Sequence, residues 1–277
     1  MIIQKLQDIV EENKSLYSKG YLRNLSRSYL QLLVLDFIYN GKYACLIFKG
    51  GSCLRICFDL PRLSEDLDFD YAERFDTKGF FEEIAKFIHK EQGFPQLETR
   101  ISKDRLYLKF PVLKSLGLAT PSESDKLYVK IELSQAKRCK FKTELQPIFK
   151  EGFSFLIKRY DLSTLMAGKI EAVLQRVWFR GEKDEITIKG RDYFDLYWYL
   201  QKRVEPNYQC LFYKKKRLDK RQVWQKITER VKKVKPKDLE YDLVNLVKDQ
   251  EFVRKFCKNY RTLFQEELKR YLQPNKI

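Results

Sequence analysis

The sequence predicts an α+β fold, a mixed β-sheet with flanking helices followed by a mostly α-helical C-terminal domain. Three observations carry this. Up to about residue 160, short apolar runs and period-two alternations lie between helical stretches. Beyond it, apolar positions recur at helical spacing. Glycine and proline fall at the ends of the apolar runs, where strands give way to helices or turns. The expected domains are residues 1–160 and 161–277.

Ile2 to Tyr39 reads as two helices broken near Lys19-Gly20, with Leu25, Tyr29, Leu32, Leu33 and Phe37 on one face. Asn40-Gly41 is a turn, and Ala44 to Phe48 is apolar throughout, as in a buried strand. Gly50-Gly51 ends that run, and Ser52 to Phe58 is expected as a short helix capped by Ser52. Pro61 breaks the chain before a second strand, Leu67 to Tyr71. A helix is expected over Lys78 to Glu91, and strands over Arg105–Phe110, Leu127–Leu133 and Phe153–Ile157. The helices of the second half cover Asp161–Phe179, Arg191–Gln201 and several stretches after Arg221.

Composition narrows the function classes. Of 277 residues, 44% are hydrophobic, enough for a substantial core. No stretch is long and apolar enough for a membrane span. The opening MIIQKLQDIVEENKSL has early acids and no cleavage pattern, so a cytoplasmic protein is expected. Six cysteines contain no CxxC pair, and no histidine lies near Cys53 or Cys57. Zinc binding is therefore not expected, and the cysteines read as small buried hydrophobes in a reducing compartment. His89 is the only histidine, within a lysine-rich helix, and reads as a surface or half-buried residue. The net charge of +17 favours a polyanionic partner, nucleic acid above all. Lys214-Lys215-Lys216-Arg217 follows Phe212-Tyr213, and Lys232-Lys233 and Lys235-Pro236-Lys237 come later. Basic groups beside aromatics suit phosphate contact and base stacking.

Against that surplus of positive charge, FKGGSCLRICFDLPRLSEDLDFDY (Phe48–Tyr71) gathers acids. Strand side chains alternate, so Asp66, Asp68 and Asp70 point one way while Leu67, Phe69 and Tyr71 face the core. In Leu127–Leu133, Lys130 and Glu132 face outward by the same rule. If the strands are neighbours, Glu132 comes close to Asp66 and Asp68. Hard oxygen ligands so placed suit magnesium. Paired glycines let backbone N–H groups approach a phosphate at the positive end of the following helix. Ser52 adds a hydroxyl, and Arg55 lies one turn further on. The GxxxxGK[ST] spacing of a P-loop is absent. Clustered like charge needs a counter-ion or solvent, and the nearness of the glycine–serine turn favours a phosphate–metal site.

Gly50-Gly51-Ser52-Cys53-Leu54-Arg55 and Ser64-Glu65-Asp66-Leu67-Asp68-Phe69 together resemble the signature of the nucleotidyltransferase AbiEii/AbiGii toxin family, of the DNA polymerase β-like nucleotidyltransferase superfamily. Lys169, in MAGKIEAVLQR, resembles its third motif, and Gly190-Arg191-Asp192-Tyr193-Phe194-Asp195-Leu196 its fourth. The resemblance implies the toxin of a toxin–antitoxin pair, linked to abortive phage infection. It would transfer NMP from an NTP to RNA, with the tRNA 3′ end as acceptor. It implies Mg2+, or Mn2+ in its place, an NTP substrate and a cognate antitoxin. Carried over by position, Gly51, Ser52, Arg55 and Ser64 would bind the nucleotide. Asp66, Asp68 and Glu132 would hold metal, and Lys169 would contact nucleotide phosphates. Asp192 would be the fourth-motif acid, with Asp195 its rival. A metal-dependent nuclease would use the same carboxylates with less need for the glycine–serine turn. A non-enzymatic RNA binder would need neither.

Overall fold

The computed structural model describes residues 2–120, 124–176 and 188–273. They form two units. The first comprises the described residues up to Ala136 together with Thr143–Arg159. The second comprises Lys137–Lys142 and the described residues from Tyr160 onward.

The first unit is a seven-stranded mixed sheet with helices. It opens with α1 (Ile2–Asn13) and α2 (Lys19–Tyr39), where Ser18 caps α2 by accepting from the Tyr21 N–H. The break between them is residues 14–18, and Gly20 lies inside α2. Then come β1 (Ile47–Lys49), α3 (Gly50–Phe58), β2 (Asp66–Tyr71) and α4 (Thr77–Lys86), which runs on as a π-turn over Phe87–Glu91. The strands β3 (Glu98–Ser102), β4 (Arg105–Pro111), β5 (Lys126–Gln135), β6 (Thr143–Lys150) and β7 (Phe153–Tyr160) complete it. The sheet order is β3-β4-β5-β2-β1-β7-β6. The central strand β2 runs antiparallel to β1 and parallel to β5, while β1 runs parallel to β7. Helices α2 and α3 pack against the sheet. Phe48 and Phe69 stack at its centre with ring centroids 5.2 Å apart, and both are fully buried.

The second unit is helical: α5 (Leu162–Gln175), α6 (Gly190–Gln201), α7 (Lys220–Lys232), α8 (Pro236–Leu243) and α9 (Gln250–Leu272), with a two-stranded hairpin of β8 (Phe212–Tyr213) and β9 (Lys216–Arg217). Acid caps start three of these helices, Asp161 on α5, Asp219 on α7 and Asp249 on α9. A Cβ on Gly190 would lie 2.7 Å from Leu239 Cα, so a side chain there would hold α6 away from α8. The helix expected over Asp161–Phe179 ends at Gln175; residues 177–179 lie outside the described ones.

Several expectations need correction. Ala44 and Cys45 lie in a turn, closed by the Leu46 N–H donating to Tyr43 O at 3.0 Å, so the strand starts only at Ile47. Ser52 does not cap its helix: α3 already begins at Gly50, with Lys49 in the cap position. The edge strands β3 and β6 carry almost no inward apolar alternation and are largely exposed, which hides them from a periodicity reading. The cysteines are not all buried thiols. Cys45 is exposed, and Cys139 and Cys210, 71 residues apart, are joined as a disulfide. The fold brings segment 137–142 against the turn at Tyr208–Cys210, where Asn207 Nδ2 also donates to Lys140 O at 2.8 Å. His89 is exposed and reaches Pro95 O at 2.9 Å, as expected of a surface residue.

Candidate active site

In the first unit the register of the central strands decides which acids meet. Asp68 lies opposite Glu132 and Asp66 opposite Lys130, while Lys49 of β1 lies opposite Asp68 on the other side. Asp66 and Asp68 are half-buried, with the core residues Leu67 and Phe69 between and after them. The third acid of the alternation has a different fate. Asp70 is buried and takes an ion pair from Lys49 Nζ at 2.6 Å and a hydrogen bond from Ser134 Oγ at 2.7 Å. A resident lysine thus neutralises Asp70.

Lys130 does the same work beside the other carboxylates. Its ammonium sits 3.2 Å from Asp66 Oδ1 and 2.6 Å from Glu132 Oε1. Burial is the largest influence on it and lowers its pKa, but the two carboxylates outweigh burial and raise it above the ordinary lysine value. Arg105 adds a second cation 3.2 Å from Glu132. Among the described residues, no three Asp, Glu, His or Cys side chains converge as a ready metal cage. The expected trio of Asp66, Asp68 and Glu132 is therefore not preassembled, because Glu132 is turned to Lys130 and Arg105. Sequence reasoning placed Lys130 on the outer face with Glu132. It did not see that a lysine two residues from an acid on one strand face would bridge it to the next strand.

The glycines explain how the loop comes so close. Gly50 has φ +76°, a left-handed backbone, and a Cβ there would overlap the Asp68 carboxylate, lying 3.0 Å from its Cγ. At Gly51 a Cβ would lie 2.7 Å from Arg62 Nη2 and 3.0 Å from Ser64 Oγ. The amino end of α3 therefore sits directly against Asp68, with Arg62 and Ser64 beside it. Ser52 is buried, and its hydroxyl donates to the Asp66 carbonyl, tying α3 to β2. Ser64 is buried, and its carbonyl accepts from Gln31 Nε2 at 3.1 Å. Arg55 donates to the Ser28 hydroxyl and, among the described residues, forms no ion pair with a carboxylate. Removal from water is the main cause that lowers its pKa to about 10, with Tyr21 raising it and Arg62 lowering it further, so it stays charged at neutral pH.

In the second unit the two later motifs form one network. Lys169 Nζ on α5 lies 2.8 Å from Asp192 Oδ1 and 2.7 Å from Asp195 Oδ2, both on α6. The i, i+3 spacing puts both acids on one helix face. Arg176 pairs with the second Asp192 oxygen. The Asp195 side chain is fully buried, that of Asp192 5% exposed. Burial alone would raise the pKa of Asp192, but Lys169, Arg176 and Lys189 together overcome it and bring it to about 2. The network explains why both acids stand in the motif: one ammonium takes both.

The family model described as Nucleotidyl transferase AbiEii toxin, Type IV TA system, matches residues 32–275. No curated protein shows significant similarity to the chain. Solved structures similar to it include two from Helicobacter pylori. One is JHP933 from Helicobacter pylori, 17% identical, covering 90% of this chain and 93% of that one with a TM-score of 0.47. The other is a presumed nucleotidyltransferase from H. pylori, 16% identical, covering 92% and 97% with a TM-score of 0.46.

Proposed function

The chain belongs to the AbiEii nucleotidyltransferase toxin family of type IV toxin–antitoxin systems, and on that premise we propose that it transfers NMP from an NTP to an RNA acceptor, the tRNA 3′ end. The observation that carries this reading is the packing of the Asp68 carboxylate against Gly50, the first residue of α3. An acid that holds a cation and a helix end that favours phosphate are thereby within one side chain of each other.

Asp66 and Asp68 fit a divalent ion, because Mg2+ is commonly held by one or two carboxylates together with substrate phosphates. Mn2+ would suit the same oxygens. Asp66 would exchange Lys130 for the ion, and Glu132 would join as a further donor once released from Lys130 and Arg105. When bound, the ion would activate the acceptor hydroxyl and steady the pyrophosphate as it leaves. The backbone N–H groups of Gly50 and Gly51 would meet the triphosphate. Arg55, half-buried and, among the described residues, bonded to the Ser28 hydroxyl rather than to a carboxylate, would gain a phosphate as its counter-charge. Ser64 lines the same glycine face. Ser52 would reach a phosphate by exchanging its bond to the Asp66 carbonyl. For Lys169 we propose contact with nucleotide phosphates, with Asp192 and Asp195 positioning its ammonium. Blocked tRNA ends would stop translation, which places the toxin in the cytoplasm, in defence against phage, and opposed by its cognate antitoxin. No helix among the described residues is long and apolar enough to cross a membrane.

The test is to incubate the full chain with total RNA, Mg2+ and each labelled NTP in turn. One NTP is expected to label RNA in step with pyrophosphate release, and Asp68→Asn is expected to reduce both by roughly 10²–10³-fold. RNA that is shortened without gaining label would instead assign a nuclease.

A further inference from the structure

We propose that the β8–β9 hairpin, with the groove beside it on α5, is the surface that grips the backbone of the acceptor RNA. This deepens the transferase reading and rests on it for the identity of the polyanion.

Five cations gather at the hairpin: Lys214, Lys215, Lys216 and Arg217 on it, and Lys226 on α7 beside it. Among the described residues, none of the five has a carboxylate partner. Neighbours in the same unit behave differently, as Lys220 pairs with Glu205 at 3.0 Å and Lys137 with Glu171. Three of the five also lie over rings. The Lys226 and Lys214 ammonium groups lie 4.9 and 5.6 Å from the Tyr213 centroid, and the Arg217 guanidinium 5.7 Å from that of Phe212. Cations over half-buried aromatic faces pair phosphate contact with a stacking platform for a base.

The turn itself favours charge over backbone ease. Lys214 (φ +48°) and Lys215 (φ +66°) are the two central residues between paired strands. Such a turn favours Asn-Gly, because every other side chain is crowded in the left-handed region. Two lysines stand there instead, and both are exposed.

The hairpin is held firmly on α5. The Phe212 N–H donates to Glu171 Oε1 at 2.9 Å, and the Gln175 side-chain amide donates to the Phe212 carbonyl. Lys137 neutralises Glu171, so the groove does not present that carboxylate as a repelling charge. The disulfide from Cys139 to Cys210 ties the segment bearing Lys137 to the chain entering the hairpin. Small residues, Gly168 and Ala172, line the groove on α5, and a Cβ on Gly168 would meet nothing within 4 Å. Lys215 and Arg176 also line it, and Arg176 pairs with Asp192, so the groove adjoins the Lys169 network.

Nucleic acid fits this surface better than a protein does. None of the exposed large hydrophobic side chains among the described residues lies on the hairpin. A protein interface would need such anchors at its centre, whereas an RNA backbone needs unpaired cations.

The test variant is Lys214→Asn/Lys215→Gly, which installs the residues the turn favours and removes two charges. Binding of a fluorescein-labelled, mixed-sequence 20-nucleotide RNA to the full chain is measured by anisotropy across KCl concentrations. Loss of two phosphate contacts is expected to lower the slope of log K against log salt by about 1.4 and weaken binding roughly tenfold near 0.15 M salt. NTP binding and melting temperature should not fall. Unchanged RNA affinity and slope would overturn the proposal, as would wild-type protein that binds NTP but not this RNA. Unchanged RNA binding with lost binding of polyglutamate would overturn it in favour of an acidic protein partner. Failure of the wild-type chain to bind NTP would instead strike the transferase reading.

Discussion

Lys169→Ala is expected to destabilise the chain by about 3–5 kcal/mol, the usual cost of removing one member of a buried ion pair. Two carboxylates depend on this ammonium, at 2.8 and 2.7 Å, and the Asp195 side chain is fully buried. Arg176 would still face Asp192. The variant should unfold at clearly lower urea concentration. Lys169→Met/Asp195→Asn should recover much of the loss, because it removes the Asp195 charge together with the ammonium that pairs with it. Unfolding of Lys169→Ala at the wild-type urea concentration would show that the network is not buried as described. The prediction also governs how loss of activity at Lys169 is read. An activity measurement on this variant reports on nucleotide contact only under conditions where its folded fraction is known.

Gly50→Ala is expected to cost about 10²-fold in nucleotidyl transfer, the scale on which a displacement of about 1 Å disrupts a reacting geometry. Two effects combine. Alanine at φ +76° is strained by about 1–2 kcal/mol. Its methyl would also overlap the Asp68 carboxylate, and the Asp68 Cβ is itself 3.2 Å away, so so short a side chain cannot swing clear without shifting β2 or α3. Gly168→Ala is the contrast, since that glycine lies inside α5 with open space around its Cβ position. It is expected to stabilise by up to about 1 kcal/mol through helix propensity. Wild-type transfer rates in Gly50→Ala would mean that the approach of α3 to Asp68 has no part in the chemistry.

These cases mark how far the sequence is legible. Alternation on β2 sorts Leu67 and Phe69 from Asp66 and Asp68, because burial on one face leaves a period of two in the residues themselves. The β5 alternation likewise puts Glu132 on the outer face, near Asp66 and Asp68 if β2 and β5 are neighbours, and the fold supplies the register that sets it opposite Asp68. Alternation says nothing about ion-pair choice. Asp70 belongs to the same outward series yet is buried, because Lys49 arrives from β1. Lys130 bridges Asp66 and Glu132 only because the strands pair in this register. Periodicity fails at β3 and β6, where an exposed edge leaves no apolar pattern. It also hides the hairpin, whose turn carries lysines where Asn-Gly would announce it. The Cys139–Cys210 link spans 71 residues and is a property of the fold, invisible in cysteine spacing.

The central claim is that Asp66 and Asp68 share a divalent ion beside the amino end of α3 when a nucleotide is bound. Electron paramagnetic resonance of Mn2+ with the full chain and a non-hydrolysable NTP analogue measures this most directly. Bound Mn2+ is expected for the wild-type chain and is expected to disappear in Asp66→Asn/Asp68→Asn, with urea unfolding confirming that this variant is folded. Mn2+ and analogue held by the folded double variant as tightly as by the wild type would contradict it.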